Sequence, residues 1–166
     1  MFDYRDKIMT WEQAKETIAA RKKTGQKIVF TNGCFDLLHL GHLRYLAYAR
    51  NLGDFLVIGL NSDRSTREIK GPARPITPEE QRAEILTGLS IVDAVVIFDQ
   101  PDPLQLITLL KPDVLVKGGD WPLDKVIGRE VVEKNGGTVM TIPLTPDVST
   151  TAIINRVLNL NRPDSK

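Results

Sequence analysis

The stretch Ile28-Val29-Phe30-Thr31-Asn32-Gly33-Cys34-Phe35-Asp36-Leu37-Leu38-His39-Leu40-Gly41-His42 passes from an apolar run through small residues to two histidines bracketing a glycine. The apolar run reads as a buried strand over 27–31. After it, Leu43, Leu46 and Ala47 share one face of a helix predicted over 41–52 and ending near Gly53. The turn therefore lies between a strand and a helix. Unpaired amides at a glycine-containing turn and the positive end of the helix dipole both point there, which makes it an anion site. Two imidazoles in the same place point to an anion that reacts.

Working outward, residues 55–60 read as the next buried strand, so strand, helix and strand form a βαβ unit with a right-handed crossover. Upstream, Thr10-Trp11-Glu12-Gln13 is a capping box, and Trp11, Ala14, Ile18 and Ala19 recur at helical spacing as far as Gly25; residues 1–26 are read as a leading helix. Downstream, residues 61–76 carry Arg64, Arg67, Lys70, Arg74 and two prolines with little apolar content, which predicts a long, basic, irregular connection. A helix then starts with Thr77 as N-cap, Pro78 at the first helical position and Glu80 closing the box. Strands are predicted at 94–98, 114–116 and 138–142. Helices are predicted from the Asp102-Pro103 cap to Leu110, around 129–134 with a stop at Asn135-Gly136, and over 150–160.

Apolar strands alternating with amphipathic helices predict an α/β fold with a five-stranded parallel sheet covered on both faces. Ligands on such sheets bind beyond the carboxyl ends of the strands, at a topological switch point. The segments 31–42, 117–121 and 148–151 all follow strand ends, so they are expected to meet in one cleft. The 166 residues are expected to form a single domain with a frayed tail over 161–166.

Twenty-two basic and twenty-one acidic residues leave a net charge of +1, so no global field argues for nucleic acid or an anionic membrane. Cys34 is the one cysteine and cannot form an internal disulfide, and the first residues lack the shape of a secretory signal; a reducing cytoplasm is expected. No apolar run approaches the ~20 residues of a membrane span.

Asn32-Gly33-Cys34-Phe35-Asp36-Leu37-Leu38-His39-Leu40-Gly41-His42, Glu80-Gln81-Arg82, Val92-Asp93, Val116-Lys117-Gly118-Gly119-Asp120 and Ser149-Thr150-Thr151-Ala152-Ile153-Ile154 occur in this order. In them the chain resembles the HxGH-bearing, cytidylyltransferase-like nucleotidyltransferases. Within that group it is most similar to the adenylyltransferase half of bacterial bifunctional heptose-phosphate kinase and adenylyltransferase proteins. The resemblance implies a Rossmann-like, doubly wound domain that transfers AMP from ATP to a sugar 1-phosphate, with heptose 1-phosphate the first choice, and releases pyrophosphate on a route to surface lipopolysaccharide. The kinase half lies outside these residues, so the sugar 1-phosphate is expected from another enzyme. Glycerol- and ethanolamine-phosphate cytidylyltransferases usually carry an arginine shortly before the Ser-Thr motif and two acids where this chain has Gly119-Asp120, and the departure favours ATP over CTP. A cytidylyltransferase, a flavin- or pantetheine-type adenylyltransferase and a non-catalytic nucleotide-binding module are the competing readings.

The resemblance implies catalytic roles for His39, His42, Lys70 and Arg82, with Lys70 the mobile cation and Arg82 on the triphosphate. The alternative for Arg82 is a solvated helix face with Glu79 as partner. A histidine at a helix start is also often a cap. Thr31, Asn32, Gly33, Phe35, Gly41, Lys117, Gly118, Gly119, Asp120, Ser149, Thr150 and Thr151 are the expected nucleotide-binding residues, the last three also serving as ordinary N-cap hydroxyls. Asp36, Arg74 and Trp121 are expected on the acceptor side; Asp36 has the alternative of ordering the turn, and Trp121 that of an amphipathic wall. Cys34 reads as a small apolar filler. Mg²⁺ is implied as an ion carried by the triphosphate, since no acidic cluster encodes a cage. A homodimer follows by family analogy, with Ile91-Val92-Asp93 a plausible contact.

Overall fold

A computed structural model describes residues 3–119, 122–143 and 148–160. Five parallel strands, β1 (Ile28–Gly33), β2 (Phe55–Asn61), β3 (Ala94–Phe98), β4 (Val114–Gly118) and β5 (Thr138–Ile142), form one sheet in the order β3-β2-β1-β4-β5. Among the described residues seven α-helices accompany them: α1 (Trp11–Lys23), α2 (Leu40–Arg50), α3 (Asp63–Lys70), α4 (Glu79–Thr87), α5 (Leu104–Leu110), α6 (Arg129–Lys134) and α7 (Thr150–Leu160).

Side chains alternate along each strand, so β1 sends Ile28 and Phe30 to one face and Val29 to the other. The first face packs under Ala14 and Ile18 of α1, Leu106 and Ile107 of α5 and Val132 of α6. The second packs under Leu46 and Ala49 of α2 and Ala83 and Leu86 of α4. Strands buried on both faces must be apolar at consecutive positions, which is why they read so plainly as runs.

Chain order reverses between β1 and β4. Their ladder ends at the Thr31–Val116 pair, whereas β1 goes on pairing with β2 through Gly33 and Leu60. The sheet therefore splits open at its carboxyl edge between Asn32 and Lys117. This is the topological switch point, and the cleft lies over it.

Two local expectations are corrected. Residues 61–76 are not all irregular, because α3 occupies half of them. Ser62 caps it by accepting from the Ser65 N–H at 3.0 Å, and Arg67 and Lys70 suit the dipole of its last turn. Its buried face is Ser65 and Thr66, so no apolar period announces it. Thr77 does not cap α4 with its side chain; Pro78 takes the cap position. The Thr77 N–H instead donates to Asp36 at 2.9 Å, and the Glu79 carboxylate accepts from the Asp63 N–H at 2.6 Å at the start of α3. Both groups are drawn into contacts distant in sequence.

The capping box of Thr10 and Gln13 is present on α1, and two short 3₁₀ turns, Tyr4–Lys7 and Leu123–Lys125, complete the described structure. The tail at 161–166 lies outside the described residues. Among those described, no helix is long and apolar enough to cross a membrane.

Candidate active site

The turn after β1 is built around its histidines. His39 is the N-cap of α2, and its Nδ1 accepts from the His42 N–H at 3.4 Å. That acceptor role leaves Nε2 as the protonated nitrogen of the neutral ring. The His39 and His42 rings stack with centroids 3.8 Å apart and planes at 21°, and the Phe35 ring, tilted at 54°, lies with its centroid 5.2 Å from that of His42. Phe35 holds a left-handed φ of 44°, and a Cβ on Gly33 would meet its ring at 3.1 Å. A Cβ on Gly41 would stand 3.0 Å from the His39 ring and 3.5 Å from the Val148 carbonyl oxygen. Gly41→Ala is therefore expected to displace the His39 ring and lower turnover roughly tenfold or more, with little change in Tm, as steady-state kinetics beside a thermal melt will show.

Burial pushes His42 down to about 4, the neighbouring His39 adds to the shift, and the Leu37 carbonyl opposes it; burial lowers His39 as well. Both rings are thus neutral at neutral pH and available as N–H donors. His42 Nδ1 is buried without a hydrogen-bond partner among the described residues.

The floor of the cleft bridges the open strands. Lys117 Nζ donates to Asn32 Oδ1 at 2.6 Å, and burial brings its pKa down to about 8 against the opposing pull of Asp102 and Cys34. One layer below, the Tyr45 hydroxyl donates to the Val116 carbonyl at 3.1 Å and shares a 2.6 Å hydrogen bond with Thr31 Oγ1. Thr31 is fully buried, so it acts on the floor through Tyr45.

The wall toward α3 and α4 is a polar lattice. Asp36 is buried and accepts from the N–H groups of Ile76 (2.8 Å) and Thr77 (2.9 Å) and from Arg74 Nε (2.5 Å). Burial works to raise the Asp36 carboxyl, but the Thr77 and Ile76 amides and the Arg74 guanidinium together hold it below the usual carboxylate range. Asp36 thus orders the turn and ties the 74–77 segment to it, which separates the two expectations held for it. A depressed carboxyl stabilises the fold above its unfolded pKa and ceases to do so as pH falls through the folded one. Asp36→Asn is expected to cost about 1–3 kcal/mol at neutral pH and to flatten the acid limb of stability, measured by urea unfolding across pH.

Arg82 is 1 % exposed and does not line the cleft. It donates to the carbonyls of Thr77 (2.8 Å), Cys34 (2.5 Å) and Asn61 (2.9 Å) and to Asp63 Oδ1 (2.8 Å). The guanidinium joins the ends of β1 and β2 to the starts of α3 and α4, in place of either the triphosphate contact or the solvated face. Lys70, at the end of α3, is exposed at the cleft rim.

The third segment closes the site. Ser149 Oγ accepts from the Ala152 N–H at 3.1 Å at the start of α7, and Thr150 Oγ1 donates to the Leu37 carbonyl at 3.5 Å, joining this helix end to the histidine turn. Gly119, at φ 99°, donates its N–H to Ile142 and does not line the cleft. Asp120 and Trp121 lie outside the described residues.

The cleft encloses about 500 Å³. The three strand-end segments meet in it, bringing together Asn32, Gly33, Phe35, Asp36, His39, Gly41, His42, Lys70, Arg74, Lys117, Gly118, Ser149, Thr150 and Thr151. Tyr45, Asn61 and Ile69 also line it and were missed by the sequence reading. Asn61 stands at the end of β2, where the strand-end rule points, and Tyr45 is three residues after His42 on the same helix face. Among the described residues no three His, Cys, Asp or Glu side chains form a metal cluster.

The sequence profile described as cytidylyltransferase-like matches residues 30–156. Proteins described as bifunctional protein HldE are similar to this chain: that of Syntrophotalea carbinolica is 51% identical over 157 residues, covering 95% of this chain and 32% of the relative. That of Geobacter sulfurreducens is 56% identical over 141 residues, covering 85% and 29%. The chain thus spans about a third of the length of these curated relatives. A crystal structure of a lipopolysaccharide core biosynthesis protein from Thermoplasma volcanium matches with a TM-score of 0.58 at 32% identity, covering 73% of this chain and 98% of that one. A pantoate-beta-alanine ligase from Francisella tularensis, at 16% identity and a TM-score of 0.60, covers 95% of this chain and 80% of that one and shares the fold. With the profile spanning the sheet from β1 to α7, the chain belongs to the cytidylyltransferase-like family.

Proposed function

We propose that this chain is a nucleotidyltransferase that moves AMP from ATP to a sugar 1-phosphate, with heptose 1-phosphate as the acceptor, releasing pyrophosphate. The observation that carries the reading is the meeting of two neutral imidazoles, two lysines and the first turns of α2 and α7 in one cleft over the switch point. The relatives described as bifunctional HldE support heptose as the sugar.

A phosphate monoester with a second pKa near ~6 is already largely dianionic at neutral pH, so its oxygen attacks without a general base. A new bond forms between that oxygen and the α-phosphorus of ATP, while the bond from the α-phosphorus to the bridging oxygen of the pyrophosphate breaks. The chain's work is alignment and relief of charge. His39 presents Nε2–H from the cap of α2, with His42 stacked behind it; the free amides of the α2 and α7 first turns receive phosphate oxygens. Lys70 reaches the leaving group from the rim. Both Asp36 oxygens are engaged by Arg74, Ile76 and Thr77, and the lining offers donors and cations. That donor set fits a triphosphate arriving with Mg²⁺, whose charge supplements the lining at the leaving pyrophosphate.

Pyrophosphate release measured across ATP and CTP with heptose 1-phosphate, other sugar 1-phosphates and glycerol phosphate tests the reading. ATP with heptose 1-phosphate is expected to turn over fastest; activity only with CTP and glycerol phosphate overturns it. Operation as a homodimer, in a reducing cytoplasm, belongs to the same proposal, and light scattering of the purified chain tests the first part.

A further inference from the structure

Tyr45 lines the cleft from α2, three residues after His42, and the transfer chemistry gives it no direct task. Its hydroxyl is committed to the sheet: it donates to the Val116 carbonyl of β4 at 3.1 Å and shares a 2.6 Å hydrogen bond with Thr31 Oγ1 of β1. A phenol has one proton, and with that proton on Val116 the threonine is the donor of the shorter bond. Thr31 is itself fully buried, and Thr31 and Val116 are the last pair of the β1–β4 ladder. One hydroxyl therefore holds both strands at the rung where the sheet begins to open. Burial pushes the phenol up, so it stays protonated at neutral pH.

Packing alone does not call for this hydroxyl. Leu46 and Ala49 seat α2 through apolar contact, fully buried in the layer that also holds Val29, Leu56 and Val116. Apolar contact is non-directional and fixes a helix loosely against sliding and rotation, whereas a hydrogen bond holds its partners in a narrow range of distance and angle. Phenylalanine at 45 with valine at 31 would fill the same space and leave no hydroxyl to satisfy. What the Thr31–Tyr45–Val116 chain adds is a fixed place for α2 on the rung. Residues three apart share a face of a helix, so the tie at Tyr45 acts on the turn that carries His42 and, through the cap, His39.

Resting on the transferase reading above, we propose that Tyr45 is a positioning residue for AMP transfer: its hydroxyl, with Thr31, locks α2 onto the last β1–β4 rung and so fixes where His39 and His42 stand over the cleft. It acts through the two imidazoles. In-line transfer demands closer placement than ground-state binding does, so slack in α2 lowers kcat and leaves ATP affinity nearly as it was.

Three measurements on the whole chain test this: steady-state transfer from ATP to heptose 1-phosphate, calorimetric ATP binding, and proton NMR of the imidazoles. They compare wild type with Tyr45→Phe, Thr31→Val, the double variant and Ile18→Val. Ile18 packs on the opposite face of the sheet, so its valine variant supplies a loss of Tm that does not reach α2. Tyr45→Phe, which keeps the ring, is expected to lose roughly 10- to 30-fold in kcat with ATP affinity within about twofold of wild type. Thr31→Val shows the same pattern, and the double variant falls no further than the worse single one, because both remove one tie. The chain has two histidines, so their ring signals are read without crowding. These signals shift in both tie variants and stay in place in Ile18→Val, which keeps its kcat. The inference is overturned if Tyr45→Phe keeps its kcat, if its imidazole signals coincide with those of wild type, if its ATP affinity falls in proportion to the rate, or if Ile18→Val loses as much rate. A wild type that transfers AMP to no sugar 1-phosphate overturns the proposed function alone; the imidazole signals of Tyr45→Phe need no substrate and still decide whether the hydroxyl seats the histidine turn.

Discussion

Removing either histidine of the turn lowers kcat by about 10²- to 10³-fold, the loss expected when one preorganised donor to a developing oxyanion is taken away. Affinity for ATP is expected to be largely kept, because the proposed phosphate contacts of the amides and lysines remain. The N-cap position of His39 allows catalysis and folding to be separated. His39→Ala deletes both the donor and the cap, costing about 1 kcal/mol of stability besides the rate. His39→Asn keeps an acceptor for the His42 N–H and so retains most of the stability, yet loses the Nε2 donor and with it the rate. For His42, which stacks on His39 and meets the tilted Phe35 ring, the alanine variant also opens a cavity, and His42→Gln is the cleaner comparison. Pre-steady-state kinetics with equilibrium ATP binding decide the matter. Full activity in His39→Asn would reduce His39 to a cap and remove it from the mechanism.

Arg82→Met is expected to cost about 3–5 kcal/mol, because it strands three carbonyls and the partly exposed Asp63 carboxylate around a side chain that is itself buried. At ~2–4 °C per kcal/mol for a domain of this size, Tm falls by roughly 10 °C. Lysine does not rescue it. A single ammonium cannot reproduce a planar fork that reaches Thr77, Cys34, Asn61 and Asp63 at once. Scanning calorimetry measures the loss, and a change below about 1 kcal/mol would restore the arginine to the solvated role. The same substitution reaches turnover indirectly, since Arg82 holds the Cys34 carbonyl of the histidine turn, the Asp63 end of α3, which carries Lys70, and Thr77 in the segment that follows Arg74. Catalytic loss in this variant is therefore a consequence of position.

These two residues illustrate different kinds of legibility. His39 and His42 stand in a local motif whose strand-turn-helix setting follows from a dozen consecutive residues, so the site could be placed before any packing was known. Arg82 sits in a helix whose sequence looks solvated, with Glu79 and Glu80 beside it; only the arrival of two distant segments, at Cys34 and at 61–63, turns it inward. The box read from Thr77 and Glu80 fails for the same reason, with Pro78 at the cap and both the Thr77 N–H and the neighbouring Glu79 carboxylate engaged elsewhere. Their groups satisfy Asp36 and the Asp63 amide, partners far away in the chain.

Helix α3 lies between these cases. Its cap, Ser62, and its terminal cations are written locally, but its buried side consists of Ser65 and Thr66, and the hydrogen bond from Asn61 Nδ2 to Ser65 Oγ replaces apolar contact. Periodicity of hydrophobic residues cannot detect a helix that buries hydroxyls.

By itself the sequence determined the parallel sheet, through consecutive apolar residues that only a strand covered on both faces can carry, and the place of the site, through the histidine turn at a strand's carboxyl end. Tertiary structure alone decided which polar groups face the cleft. The opening of β1 from β4 leaves Lys117 half-buried beside Asn32, and the closing of α3 and α4 onto the turn takes Arg82 and Asp36 out of solvent. A polar side chain's partner is chosen by what packs beside it, and that is fixed by contacts between residues far apart in the chain.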